Sequence, residues 1–156
     1  MMELLGGSAT PMGFGEVYTA LQSNIIDGAE NNEMALTDNG HGDVCKYYSY
    51  DMHQMVPDIL LGNWAFMEGL SEEERAIFEE GFQIVNKVQR EEWTKAVENA
   101  KNRALNEQGV EFLYPDTAPF QEACSPLHQE VISGNETLET IYAKIQEYNE
   151  MYRTEE

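Results

Sequence analysis

Between Ser71 and Gln108 the sequence holds one helical pattern with no proline, and few folds can absorb an element of that length. A helix of roughly 36 residues reaches about 54 Å at about 1.5 Å per residue, more than the width of a compact domain of this size. Ser71 precedes Glu72, Glu73 and Glu74, an N-cap with acids in the first turn, where the helix dipole favours negative charge. Ile77, Phe78, Phe82, Val85, Val88, Trp93, Ala96, Val97, Ala100 and Ala104 form an apolar stripe at spacings of mostly three to five. A coiled coil would need stricter heptads than these. Such a helix must cross between two packed bodies or project into solvent, so 156 residues are one ordinary domain or part of a larger two-lobed protein.

Composition narrows the partners. A hydrophobic content of 42% permits a real core, while 29 acidic residues against 9 Lys plus Arg leave a net charge of −20. That field repels phosphate backbones and anionic lipid, so neither nucleic acid nor a membrane surface is expected as a partner. No run approaches the roughly 18 apolar residues of a membrane span, and the start has no basic-then-apolar signal. The chain therefore reads as soluble and without an address of its own. Cys45 and Cys124 lack metal-type spacing and read as packing residues, with a disulfide as the lesser alternative. The histidines share no i, i+4 pair and no HExxH context, which disfavours a metal site, and His41 and His128 are expected to be exposed. No phosphate loop, dinucleotide fingerprint or nucleophile elbow is present, so no cofactor and no catalytic residue is assigned.

Around the long helix the pattern predicts α/β structure. Met2, Leu4 and Leu5 read as the last turn of a helix closed by Gly6 and Gly7. A short helix is expected near Glu33–Leu36, a turn-rich break at 38–42, a strand over Tyr47–His53, and one or two further strands through Ile59, Leu60 and Leu61 after Pro57. Gly109 ends the long helix as a C′ glycine, and Val110–Tyr114 reads as a strand. A helix beginning near Pro119 runs past Cys124, with Pro126 expected to kink or restart it. Asn135 caps a last helix whose face carries Leu138, Ile141, Ile145, Tyr148 and Tyr152.

The stretch Ala9–Asn32, ATPMGFGEVYTALQSNIIDGAENN, packs a turn, a short helix, an apolar pair and an amide pair into two dozen residues. Pro11, Gly13 and Gly15 punctuate the turn. Val17, Ala20 and Leu21 have helical spacing, and Ile25 and Ile26 read as a brief buried strand. On that reading Glu30, Asn31 and Asn32 sit just past a strand's carboxyl end, where open α/β sheets place ligands. At these residues the chain resembles the DctP-type solute-binding subunits of tripartite ATP-independent periplasmic (TRAP) transporters. It matches every fixed position of their pattern P-M-x-F-x-E-V-Y-x-A-L-Q-x-x-x-x-D-G-x-E-N.

The resemblance implies the C-terminal half of a class II, two-lobed periplasmic-binding-protein-like fold. Residues 1–50 would form the cleft part of the second lobe, 51–70 crossover strands, 71–108 a helix bracing both lobes, and 109–156 a terminal strand and helices. It further implies capture of an organic or sugar acid, of uronate or diketogulonate type, outside the cytoplasmic membrane, for handover to membrane permease subunits. In such proteins the aromatic at Phe14 packs against the bound acid, and the asparagine at Asn31 hydrogen-bonds its carboxylate. The Asn31–Asn32 pair is similar to the branch that takes hexuronates, and a histidine near the hinge falls at His53. Each has a plainer alternative: Phe14 as a core plug, Asn32 as the cap of the next helix, His53 as a buried histidine satisfied by backbone. Asp27 and Glu30 could in principle act as an acid–base pair on an acidic sugar; in the family they are structural. A helical adaptor built on 71–108 is a third reading, one that leaves Phe14 and Asn31 unexplained.

One feature of such subunits is missing. They hold the substrate carboxylate with a strand arginine, because a guanidinium matches a carboxylate bidentately; here the arginines are Arg75, Arg90, Arg103 and Arg153, all in helical regions. The chain alone is therefore expected to take up its acid weakly or not at all, and micromolar uptake of any uronate by isothermal titration would overturn this. Uncovered apolar faces and strand edges also predict a dimer or strand-exchanged homo-oligomer. Light scattering checks that expectation, and a clean monomer at high concentration would refute it.

Overall fold

Ser71 starts the element that organises the chain: its Oγ accepts from the Glu74 amide at 3.3 Å while the Glu74 carboxylate accepts from the Ser71 amide at 2.9 Å. This reciprocal box satisfies two of the donors that a helix start leaves open. The computed structural model describes residues 1–152, so Arg153 lies outside the described residues. In chain order the elements are α1 (Phe14–Gln22), α2 (Met34–Asp38), α3 (His41–Val44), β1 (Tyr47–Ser49), α4 (Trp64–Glu68), α5 (Glu72–Arg103), a π-helical turn (Ala104–Gln108), β2 (Glu111–Leu113), α6 (Ala118–Ile132) and α7 (Glu136–Met151). The residues divide into two compact units.

The larger unit holds Thr10–Tyr50 and Gln54–Tyr114. Its two strands pair in parallel, with Tyr47 opposite Glu111, Tyr48 opposite Phe112 and Ser49 opposite Leu113. Parallel strands need a long crossover, and here the crossover contains α4 and α5. The inward residues of the pair, Tyr48 and Phe112, pack against a core of Leu36, Ala104 and Val110. Only the C-terminal end of α5 and the turn that follows it reach this core: Ala100 and Ala104 are buried, whereas Ile77, Val85, Val88 and Trp93 of the same stripe are exposed. The helix does run as one piece, as its pattern predicts, and Gly109 ends it at φ +68°.

Three expected features of this unit are corrected. Ile25 and Ile26 form no strand. Asn24 adopts φ +54°, and the amides of Asn24 and Ile25 turn back to the carbonyls of Leu21 (3.1 Å) and Ala20 (2.9 Å), which closes α1 with a Schellman motif. That motif leaves Ile25 72% exposed. The crossover strands expected over 51–70 are also absent: 51–63 carries no ladder, 64–68 is α4, and Ile59, Leu60 and Leu61 are exposed without a partner edge. The strand expected over 47–53 stops at Ser49, where β2 ends, and Met52 turns away at φ +52°. In addition, part of the turn-rich break at 38–42 is helical, because Gly40 at φ +71° lets α3 start at His41.

The second unit contains Met1–Ala9, Asp51–His53 and the chain from Pro115. The Gly7 amide bonds the Met2 carbonyl at 2.9 Å and Gly6 lies at φ +85°, the expected closing turn. α6 continues through Pro126 as a single helix, and Asn135 caps α7 through Oδ1, which accepts from the Leu138 amide at 3.2 Å. Both cysteines are free thiols.

The joint between α5 and the rest of its unit is Gln108, whose Nε2 donates to the Leu36 carbonyl at 3.0 Å and to Asp43 Oδ1 at 3.1 Å. A Cβ at Gly42 would meet Gln108 Cδ at 2.7 Å. Gly42→Ala is expected to displace this carboxamide and cost about 0.5–1.5 kcal/mol, the net yield of a part-buried hydrogen bond. Urea denaturation measures it, and an unchanged midpoint would refute the account.

Candidate functional site

The closed end of α1 sends the chain over residues 27–33 and across a hollow of about 350 Å³. Its wall includes Asp27, the Asn31–Asn32 pair, His41, Lys46 and Tyr48, all in the larger unit. The amide pair is locally ordered. Asn31 Oδ1 accepts from the Asn32 amide at 2.9 Å and Asn32 Oδ1 accepts from the Met34 amide at 3.1 Å. Only the carboxamide oxygen can accept from a backbone N–H, so these bonds fix which end of each side chain is which. Both NH₂ groups are left as donors, with no acceptor among the described residues. Asn32 thus feeds the start of α2, as its capping alternative expects, and still offers two N–H bonds.

Phe14 does not stand in the turn but opens α1, after Gly13 as N-cap, and is 51% exposed. It is not on the wall of the hollow; its ring lies 5.9 Å from that of His41, which is. His41 itself corrects an expectation. It is 6% exposed rather than a surface residue, and burial draws its imidazole below the ordinary histidine range. His128 is exposed, as expected, beside the Tyr142 ring at 5.7 Å.

His53 belongs to the second unit. Its Nδ1 lies 2.6 Å from Asp51 Oδ1, and its Nε2 is buried with no hydrogen-bond partner among the described residues. Glu30 accepts from Gln54 Nε2 at 3.1 Å, a structural contact, while Asp27 lies on the wall. Among the described residues no arginine lines the hollow: Arg75 Nη2 donates to the Met67 carbonyl at 2.7 Å, and Arg103 lies 3.7 Å from Asp38 and 3.8 Å from Glu107. The cation on the wall is Lys46, whose Nζ already donates to the carbonyls of Gly42 at 2.9 Å and Gln108 at 2.8 Å. Among the described residues no three His, Cys, Asp or Glu side chains gather as a metal site would require.

Sequence reasoning missed the aromatic support beneath the amide pair. Tyr48 OH donates to the Asn31 carbonyl and Tyr50 OH to Glu33 Oε1, each at 2.7 Å. The signal was the period of two in Tyr48 and Tyr50, which places both on one side of an extended segment. Burial and the neighbouring Glu33 carboxylate push the Tyr50 hydroxyl far above the usual phenol range, so it stays a donor.

The family described as bacterial extracellular solute-binding protein, family 7 (DctP), matches residues 1–135. The chain belongs to the DctP family. A TRAP periplasmic solute-binding protein from Anaerococcus prevotii DSM 20548, solved with bound α/β-D-glucuronate, is 65% identical with a TM-score of 0.87, over 97% of this chain and 49% of that one. A second, from Sulfitobacter sp. NAS-14.1 with bound β-D-galacturonate, is 31% identical with a TM-score of 0.79, over 88% of this chain and 46% of that one. The uncharacterized protein YiiZ of Salmonella typhimurium is 41% identical over 145 residues, 93% of this chain and 44% of its own length. The DctP chain here therefore spans about half the length of the relatives it matches. Its architecture is that of the corresponding portion of those binding proteins, mostly helical with a small sheet. Both solved neighbours are solute-binding proteins, which gives the acid–base reading of Asp27 and Glu30 no support.

Proposed function

We propose that this DctP-family chain contributes one wall of a hexuronate site in an extracytoplasmic TRAP solute-binding protein, which captures the sugar acid in the periplasm or outside the cell and delivers it to membrane permease subunits. The observation that carries the reading is the pair of Asn31 and Asn32 carboxamide nitrogens, held as donors on the wall of a hollow of about 350 Å³. Neutral N–H donors suit a carboxylate and sugar hydroxyls alike, and they need not be stripped of a counter-ion. The glucuronate and galacturonate bound by the two solved relatives support the substrate class. Phe14 adds an apolar surface beside His41, suited to the carbon face of a pyranose ring. The role is capture and release, without turnover.

Millimolar D-glucuronate or D-galacturonate is expected to shift the side-chain NH₂ resonances of Asn31 and Asn32 in ¹⁵N-labelled chain, and uncharged D-glucose to leave them in place. Asn31→Ala should weaken the response about tenfold, the order of one charge-assisted hydrogen bond. Recovery of the sugar acid unchanged is part of the expectation. An equal or stronger response to glucose would refute the proposal.

A further inference from the structure

The Asn31–Asn32 turn is gripped by three side chains that follow it in the sequence. Tyr48 OH binds the Asn31 carbonyl at 2.7 Å, Tyr50 OH binds Glu33 Oε1 at 2.7 Å, and Gln54 Nε2 binds Glu30 Oε2 at 3.1 Å. Residues 48, 50 and 54 thus each grip one member of the run 30–33. The two tyrosines are in turn fixed by ring contacts, tilted for Tyr48 and stacked for Tyr50. Tyr48 and Phe112 lie 5.6 Å apart, Tyr50 and Tyr114 stack at 5.0 Å and 12°, and Lys101 of α5 sits over the Tyr50 ring at 4.9 Å. Lys101 Nζ also lies 3.3 Å from the Tyr114 hydroxyl.

We infer that Tyr48 and Tyr50 are positioning residues for the proposed uronate site: through the Asn31 carbonyl and the Glu33 carboxylate they set the direction in which both carboxamides present their N–H bonds. The inference rests on the reading that Asn31 and Asn32 face the ligand. Its physical basis is that each carboxamide oxygen is spent on a backbone amide one or two residues on, so the NH₂ direction follows the backbone of 31–34. One neutral O–H holds that backbone directly at the Asn31 carbonyl, and the other holds it through the Glu33 side chain. Without them the turn keeps its local bonds but loses its fixed attitude to the strand beneath.

Tyr48→Phe and Tyr50→Phe remove one oxygen each and keep the stacked rings. In ¹⁵N-labelled full chain without any sugar, both variants are expected to move the side-chain NH₂ cross-peaks of Asn31 and Asn32 while that of Asn135, the cap of α7, stays in place. Glu33→Leu should do the same as Tyr50→Phe, and Glu33→Gln, which still offers an acceptor, should restore most of the original position. In a D-glucuronate titration each tyrosine variant should respond about three- to tenfold more weakly, the yield of one hydrogen bond. Unmoved Asn31 and Asn32 peaks in the sugar-free variants would overturn the inference whatever the titration gives. If the peaks move but the unmodified chain responds to D-glucose as it does to D-glucuronate, the positioning role stands and the uronate reading falls.

Discussion

The carboxamide of Gln108 is the contact on which the larger unit depends. It leaves the π-helical turn that continues α5, reaches the carbonyl of Leu36 at 3.0 Å and the carboxylate of Asp43 at 3.1 Å, and so ties the long helix to both α2 and α3. Its own backbone carbonyl receives Lys46 at 2.8 Å, which draws in the residue before β1. A regular α-helix would carry the side chain of residue 108 to another azimuth. The π-helical turn over 104–108 rotates it, with the Val110 amide returning to the Ala104 carbonyl at 3.0 Å. Gln108 Oε1 is buried with no hydrogen-bond partner among the described residues, so the joint is kept at the cost of one unsatisfied acceptor.

From that joint the organisation of the site follows. With the end of α5 fixed, Ala104 and Val110 close over Leu36, and β2 is delivered alongside β1 in parallel register. The pairing puts Phe112 against Tyr48 and Tyr114 against Tyr50, and one turn earlier on α5 Lys101 covers the aromatic slab. A cation over a ring is worth about 0.5–1 kcal/mol at an exposed site. Here three rings, those of Tyr50, Phe112 and Tyr114, lie within 5.7 Å of the same ammonium. The amide pair is thus connected to the long helix through side chains that meet in one stack.

The parts of this arrangement that were legible in the sequence are those set by local chemistry. The Ser71 box, the Asn135 cap and the Gly109 terminus each depend on a few neighbouring residues, and each forms as its pattern predicts. The misreadings share a cause, which is that a strand exists only where a partner edge exists. Ile25–Ile26 and Ile59–Leu61 are apolar runs of the right composition, yet the first is spent on closing α1 and the second has no edge beside it. His41 was hidden for a related reason. Its ring meets that of Phe14, 27 positions earlier, and no local pattern encodes that meeting. Gln108 reads as an ordinary polar residue near a helix end, because its partners Leu36 and Asp43 lie more than sixty positions away.

The charge of the chain bears on which donors such a wall can use. A net charge of −20 opposes an approaching carboxylate at long range, although screening confines that opposition to about 8 Å at physiological salt. Inside that distance the local donors decide. Lys46 is the cation on the wall, but two of its three N–H bonds already serve the carbonyls of Gly42 and Gln108, so its charge is fixed in place and only partly free to bind. A second uncompensated cation there would be drawn to the surrounding carboxylates and folded into ion pairs, as Arg103 is with Asp38 and Glu107. Carboxamides avoid that competition. They carry no net charge to be captured, they are oriented by backbone bonds rather than by counter-ions, and they leave donors facing outward in an otherwise acidic molecule.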